Sequence, residues 1–268
     1  MEINMTMLTF PALVIRECDY AENDKLLMLL TAEKGKITVC AKGAKSIRNK
    51  DMACSQLLCY SEFTVKERGG YYTLSEASLI EQFFGLRSSL ERNAAAVYIA
   101  DVAGEVCVEN NDESRMLSLT LNTLYMLSET DRNVDFIKAV FELRCASVSG
   151  FCPELSGCTV CGRKDAPRLY LDVMDGSLIC GDCFGADDEE ISRGDVAAAK
   201  IILPLSSGLL EAMRYVVSCP PKKIFSFSLP NEELSDFCRV CEKYLINQIE
   251  RSFSTLEFYN RIKAMSLK

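Results

Sequence analysis

The sequence contains no histidine. That absence removes the commonest general base and the commonest nitrogen ligand, so a transition-metal site here must be built from sulfur or carboxylate. A G-x-x-x-x-G-K-[ST] phosphate loop is also missing, as is a nucleophile motif with an activating partner. Bond-making catalysis is therefore not expected. No stretch approaches roughly eighteen uninterrupted apolar residues, which argues against a membrane span. The amino terminus lacks the basic region of a secretory leader, and its apolar run is cut by Pro11, so a cytoplasmic location is expected. Neither internal repeats nor low-complexity linkers are visible. What remains is an ordinary globular balance: 49% of the 268 residues are hydrophobic and 25% charged, enough for one large or two modest domains.

Fourteen cysteines would suggest disulfides in a small secreted chain. Here they are scattered along a long one, and reduced thiols fit better. Four of them form a pattern. Cys158 and Cys161 make one C-x-x-C pair, Cys180 and Cys183 a second, and eighteen residues separate Cys161 from Cys180. That spacing lies in the window for a four-cysteine zinc site. Two thiolates one turn apart hold one edge of a tetrahedron, and the second pair closes the other. Four sulfur ligands leave no open coordination position, so the expected Zn²⁺, one per chain, is structural. Between the pairs, Arg168 to Asp172 reads as a strand, Met174 to Ser177 as a tight turn and Leu178–Ile179 as the returning strand: a zinc ribbon. A redox dithiol is the alternative, but it needs only one pair. Cys238 and Cys241 also read C-x-x-C, yet fall on the apolar stripe of a long helical segment and are expected to be packing residues.

Net charge is −8, unfavourable at first sight for a nucleic-acid partner. Its distribution changes the picture. Residues 1–80 carry ten basic and ten acidic side chains, so the excess acid lies in the remainder. From position 34 to 50 there are six cations, Lys34, Lys36, Lys42, Lys45, Arg48 and Lys50, and no acid. Such a local patch can bind phosphate on an acidic protein.

The first eighty residues alternate with the period of strands. Ala12 to Arg16, Lys25 to Thr31, Lys36 to Lys42, Leu57 to Lys66 and Tyr71 to Ile80 give five, with a hairpin turn at Arg68 to Tyr71. Five short strands in this length suggest a closed barrel of the oligonucleotide-binding (OB-fold) kind. From Arg87 the period becomes helical: Ala95, Ile99, Val102 and Val106 form one stripe, Leu117, Leu121 and Leu124 a second, Phe136, Val140 and Leu143 a third. Helices resume after the ribbon with Leu209, Met213 and Val216, then with Leu234, Cys238, Cys241, Leu245 and Ile249. An acidic turn at Asp187 to Glu190 separates the two parts. The expected fold is thus α+β. A five-stranded barrel over 1–80 precedes a helical domain over 81–268, one bundle interrupted by a zinc ribbon at about 152–184.

Several stretches taken together resemble the bacterial RecO family of recombination mediators. They are VIRECDYAENDK at 14–25 with LLTAEKGK at 29–36 and AKGAK at 41–45, LSEA at 74–77, LRCASVSGFCPEL at 143–155 leading into CTVCG at 158–162, and the segment 245–258 containing ERSFSTL. They occur in order from end to end. The resemblance implies an OB-fold barrel, a helical domain and an inserted zinc ribbon. It also implies DNA repair by recombination: binding single- and double-stranded DNA, annealing complementary strands, and acting with RecR to load RecA on strands coated by single-strand-binding protein. Family members recognise the acidic, apolar tail of that protein, and a nucleoid-associated place in the cytoplasm follows. A sequence pI near 4.9 departs from the neutral-to-basic relatives and points to heavier reliance on RecR or single-strand-binding protein.

Annealing requires only that two polyanions be held together, which a row of Lys and Arg achieves by releasing condensed counterions. Lys34, Lys36, Lys42, Lys45, Arg48 and Lys50 are the expected phosphate contacts, with Arg16 and Arg68 as secondary ones. Tyr60, Tyr71 and Tyr72 are candidates for base stacking. For the partner tail, Lys243, Arg251 and Arg261 are the candidate cations beside an apolar groove between helices. A barrel-and-ribbon transcription or translation factor is the alternative function, and a thiol oxidoreductase a more distant one.

Overall fold

A computed structural model describes residues 5–46, 52–184 and 200–266. Backbone contacts divide the chain into two compact units, residues 1–134 with 253–268, and residues 135–252. The helices expected to form one bundle are therefore shared between the two.

The first unit opens with β1 (Thr6–Tyr20), β2 (Asp24–Thr31), β3 (Lys36–Ala41), β4 (Tyr60–Arg68) and β5 (Tyr71–Glu81). They close into a barrel in the order β1-β2-β3-β5-β4. Every pairing is antiparallel except β3 with β5, which run parallel through Val39↔Tyr72 and Cys40↔Thr73. Alternation sets the inside: Val14, Leu27, Leu29, Val39, Phe63 and Val65 are fully buried, with partly buried Leu8, Phe10 and Leu74 packed against them. β1 is much longer than the expected Ala12–Arg16. It pairs with β4 from Thr6 to Leu13 and with β2 from Ala12 to Tyr20, with an irregularity between Val14 and Arg16. Pro11 lies where only β4 is paired, so a residue lacking an N–H is tolerated there. Leu57 and Cys59, expected to open the fourth strand, precede it; Leu58 between them has φ +67°.

After a 3₁₀ turn at Phe84–Ser88 come α1 (Leu90–Val106) and α2 (Ser114–Glu129), and α6 (Ser254–Ser266) completes the unit. Ser89 caps α1 by accepting the Arg92 N–H. Ala95, Ile99 and Val102 of the expected stripe are fully buried. Asp101 of α1 accepts from Arg16 of β1 at 2.6 Å and from the Thr255 hydroxyl at 2.9 Å. Tyr98 meets Phe253 edge to face at 5.8 Å.

The loop between α1 and α2 folds back onto the β2–β3 turn. The Lys36 N–H donates to the Val108 carbonyl, Asn110 to Lys34, and Glu113 to Ala32, at 3.2, 2.9 and 2.7 Å. Gly35 makes this approach possible. Its φ is +63°, and a Cβ built there would stand 1.9 Å from the Val108 oxygen. Gly35→Ala is accordingly expected to lose at least about 1–3 kcal/mol from backbone strain alone, more with the collision, read as a lowered urea midpoint at unchanged slope.

The second unit contains α3 (Val134–Val148, whose first residue belongs to the first unit), α4 (Ser207–Ser218) and α5 (Asn231–Ile249). It also holds a four-stranded sheet, β6 (Glu154–Cys158), β7 (Leu169–Asp172), β8 (Ser177–Cys180) and β9 (Ile202–Leu205), in the order β6-β8-β7-β9. Helix resumes at Ser207, ahead of Leu209 as expected, but β9 precedes it as a strand that was not expected, so the region is not purely helical outside 152–184. The buried face of α5 is Phe237, Val240, Cys241, Tyr244 and Leu245, turned from the expected stripe; Leu234, Cys238 and Ile249 are only half-buried. Burial pushes the Cys241 thiol well above its ordinary value. Lys138 of α3 is 2% exposed and bonds Glu142 at 2.7 Å and Glu242 of α5 at 2.8 Å. The expected acidic turn at Asp187–Glu190 lies outside the described residues. Among the described residues no helix is long and apolar enough to cross a membrane.

Candidate metal centre and nucleic-acid interface

Strands β6 and β8 are parallel neighbours, with Cys158 opposite Leu178. Each therefore delivers its C-x-x-C pair at the same end of the sheet. In the first knuckle the Cys158 N–H donates to the Arg163 carbonyl and the Gly162 N–H to the Cys158 carbonyl, at 2.9 and 2.8 Å. Gly162, at φ +75°, supplies the left-handed turn. In the second, Gly181 donates to the Arg168 carbonyl at 3.0 Å. Arg163 pairs with Asp182, tying one knuckle to the other.

The four sulfur atoms of Cys158, Cys161, Cys180 and Cys183 lie within 4.8 Å of one another, and Cys161 and Cys180 are 3.7 Å apart. A tetrahedron with Zn–S bonds of about 2.3 Å has edges of about 3.8 Å, so the four thiols fit a zinc ion. Cys158 and Cys180 are buried and Cys161 is exposed, so the centre sits at the surface. Burial raises the Cys158 thiol, but N–H groups of Cys161, Cys180 and Val160 aimed at its sulfur bring it down to about 6. Its hydrogen bond with Cys180, then burial and bonds to the other two, push Cys183 up to about 12. An ion entering the group would displace the remaining thiol protons, so its affinity for the site rises with pH.

The sheet is anchored from within its unit. Arg214 of α4 donates to the Leu155 carbonyl at 2.8 Å, Tyr244 of α5 to Phe151 at 2.9 Å, and Gln248 to Val173 at 2.7 Å. Cys152 is exposed and outside the four-sulfur group.

The expected phosphate contacts have different situations. Lys36 donates to the Gly104 carbonyl in the last turn of α1 at 2.9 Å, and Arg16 is held by Asp101. Lys45 reaches Asp19 at 3.2 Å and the Ala21 carbonyl at 3.4 Å, which places it on the β1–β2 turn. The Gly43 N–H is held there too, by Asp24. Lys42 and Arg68 are exposed and Lys34 is half-buried. Arg48 and Lys50 lie outside the described residues. Of the candidate partner cations, Lys243 and Arg251 belong to the second unit and Arg261, on α6, to the first; all three are exposed.

A groove of about 620 Å³ runs across the outside of β2, β3 and β5. It is lined by Tyr20 from the β1–β2 turn, Leu26, Thr38 and Cys40 from β2 and β3, Tyr71 and Tyr72 after the β4–β5 hairpin, Glu67, and Glu109 with Asn110 from the α1–α2 loop. Tyr71 is 81% exposed and Tyr20 51%. Burial, then the charges of Glu67 and Glu109, raise the Tyr72 hydroxyl. Arg68 stands opposite Tyr71 in the ladder. Tyr60 is not among the lining residues. Sequence reasoning found Tyr71 and Tyr72 but missed Tyr20, Cys40 and Glu109. Tyr20 was legible as an aromatic at a turn; Glu109 reaches the groove because the α1–α2 loop folds back onto the β2–β3 turn, which no local pattern reveals.

A small barrel with helices, joined in one chain to a ribbon whose four thiols can hold a metal, defines a mixed α+β protein of the barrel-and-ribbon type. Family models agree on which: "Recombination protein O N terminal" matches residues 5–83 and "Recombination protein O C terminal" residues 87–257. A DNA repair protein RecO of Acetivibrio thermocellus is 33% identical over 254 residues, 95% of this chain and 96% of that relative. Those of Caldicellulosiruptor bescii and Symbiobacterium thermophilum are 26% and 28% identical over 97% of this chain. The chain belongs to the RecO family of DNA repair proteins.

Proposed function

We propose that this protein binds single- and double-stranded DNA through its barrel, anneals complementary strands, and acts with RecR to load RecA on strands coated by single-strand-binding protein. Residues 1–80 serve as an OB-fold domain, and residues 81–268 carry the helices and a structural Zn²⁺ held by Cys158, Cys161, Cys180 and Cys183. The observation that supports this most directly is the groove with its three tyrosines. It lies on the β2–β3 face between the β1–β2 and β4–β5 turns, where barrels of this kind take oligonucleotides. Arg68 beside Tyr71 and Lys45 beside the Tyr20 turn put a cation near each end, and the Lys42 side chain is exposed just after β3. Stacking supplies sequence-tolerant affinity while the cations neutralise phosphate. No bond is made or broken, which suits a chain without histidine. The tail of single-strand-binding protein would meet Lys243, Arg251 or Arg261.

Strand annealing with and without single-strand-binding protein tests the proposal, alongside binding measured against salt. If six cations touch phosphate, the logarithm of the single-strand binding constant falls with slope about −4 against log salt. Lys42→Glu with Lys45→Glu should reduce that slope by about 1–2 and slow annealing. A slope near zero for the wild type would remove the phosphate-binding role.

A further inference from the structure

The groove carries two groups that neither stacking nor phosphate neutralisation uses. Among the described residues its lining includes the carboxylates of Glu67 and Glu109 and no lysine or arginine. Among the described residues neither carboxylate is held by a hydrogen bond or an ion pair. Glu67 stands opposite Tyr72 across the β4–β5 ladder, and both carboxylates act on the Tyr72 hydroxyl. Glu109 is delivered by the bridge it makes with Gly35. Thr38 and Asn110 add a hydroxyl and an amide to the same wall. Phosphate is repelled from such a place, since its counter-charges stand outside at Arg68 and Lys45. A base edge is not repelled if it brings N–H donors.

We infer that this groove reads the amino-bearing edge of an unstacked base. The ring lies on the exposed tyrosines, Glu67 and Glu109 accept its exocyclic N–H groups, and the backbone passes the cations at the rim. Carboxylates are the natural acceptors for the cytosine amino group; adenine and guanine also carry amino donors, and thymine has none. The groove therefore prefers cytosine, adenine or guanine to thymine, and favours single strands, whose base edges are free. This rests on the proposal that the barrel binds DNA.

Cys40 provides a reporter. It lines the groove and is half-buried, whereas Cys18, in the same cross-strand row beyond Leu26, is exposed and outside the lining. The experiment uses the full zinc-loaded chain with oligo(dC) and oligo(dT) of equal length at one salt concentration. Binding is measured by competition, and alkylation of Cys40 and Cys18 by peptide mass spectrometry. Oligo(dC) should bind at least about fivefold tighter than oligo(dT) and slow alkylation of Cys40 but not of Cys18. Glu67→Ala with Glu109→Ala should bring the ratio near one without changing the salt slope. Glu67→Gln, which keeps the size and adds a donor, should shift it toward thymine. A wild-type ratio that survives in these variants, or oligo(dT) binding as well as oligo(dC) to the wild type, overturns the assignment and leaves DNA binding by the barrel intact. Failure to bind either oligonucleotide overturns both. Shielding of Cys40 by an arginine-rich peptide and by neither oligonucleotide would give the groove to a basic protein segment and overturn it as well.

Discussion

Cys158→Ser is expected to release the metal and unfold the ribbon. A serine hydroxyl is a poor zinc ligand, and the remaining three sulfurs cannot close a tetrahedron around the ion. The sheet has little else to hold it at that end: β7 and β8 are four residues each, and β6 meets β8 at only two registered positions. Structural zinc contributes about 10–16 kcal/mol in isolated fingers. Here α4 and α5 also grip the sheet through Arg214, Tyr244 and Gln248, so part of the fold survives metal loss. A loss of about 4 kcal/mol or more, some 8–16 °C in Tm for a chain of this size, is the expected scale. Elemental analysis should give one zinc per chain in the wild type and none in the variant, and limited proteolysis should cut first between 158 and 184. Cys152→Ser, outside the four-sulfur group, should keep the metal. Acid competes for the same sulfurs, so retention of the metal should weaken as pH falls.

Lys138→Met should be nearly as damaging. It removes the ammonium from beside Glu142, whose side chain is fully buried, and breaks the link from α3 to Glu242 on α5. Taking one partner from a buried ion pair costs about 3–5 kcal/mol, because the other charge stays in a poor solvent for it. Lys138→Met combined with Glu142→Leu should recover most of that, since an apolar pair of similar volume needs no counter-charge. Chemical denaturation of the three proteins decides the matter, and additivity would be the wrong outcome. Burial pulls the Lys138 ammonium down, but Glu142 and Glu242 together overcome it and hold it above the ordinary lysine value. A raised folded-state pKa means the contribution is complete below about pH 10.4, the unfolded value, and fades as pH climbs from there through the folded one. The wild type should lose stability above pH ~10.5 by a margin that the double variant lacks.

Local signals carried much of this architecture. The two C-x-x-C pairs and the turn between β7 and β8 are contiguous patterns, and so are the alternations of β3 and β4. What could not be read depends on residues far apart in the chain. β9, Ile202–Leu205, showed no strand pattern of its own: it is four residues long, and Pro204 interrupts it. As an edge strand paired only with β7, it accommodates that proline opposite Tyr170. The face of α5 was misjudged because Leu234, Cys238 and Ile249 follow helical spacing as well as Phe237, Val240 and Tyr244 do, and only tertiary packing chooses between them. The cationic run from 34 to 45 was visible, but not that α1 would engage Lys36 through its last turn.

The return of α6 to the first unit has a consequence for how the protein is made. Residues 253–268 close a body begun by residues 1–134, with the second unit's residues 135–252 emerging between them. At about 5–20 residues per second, a ribosome leaves the earlier body without its last helix for roughly 6–24 s. Asp101 waits that long for Thr255, and Tyr98 for Phe253. During translation the later-made segment, with its cysteine-rich knuckles, can finish folding before the part that starts the polypeptide.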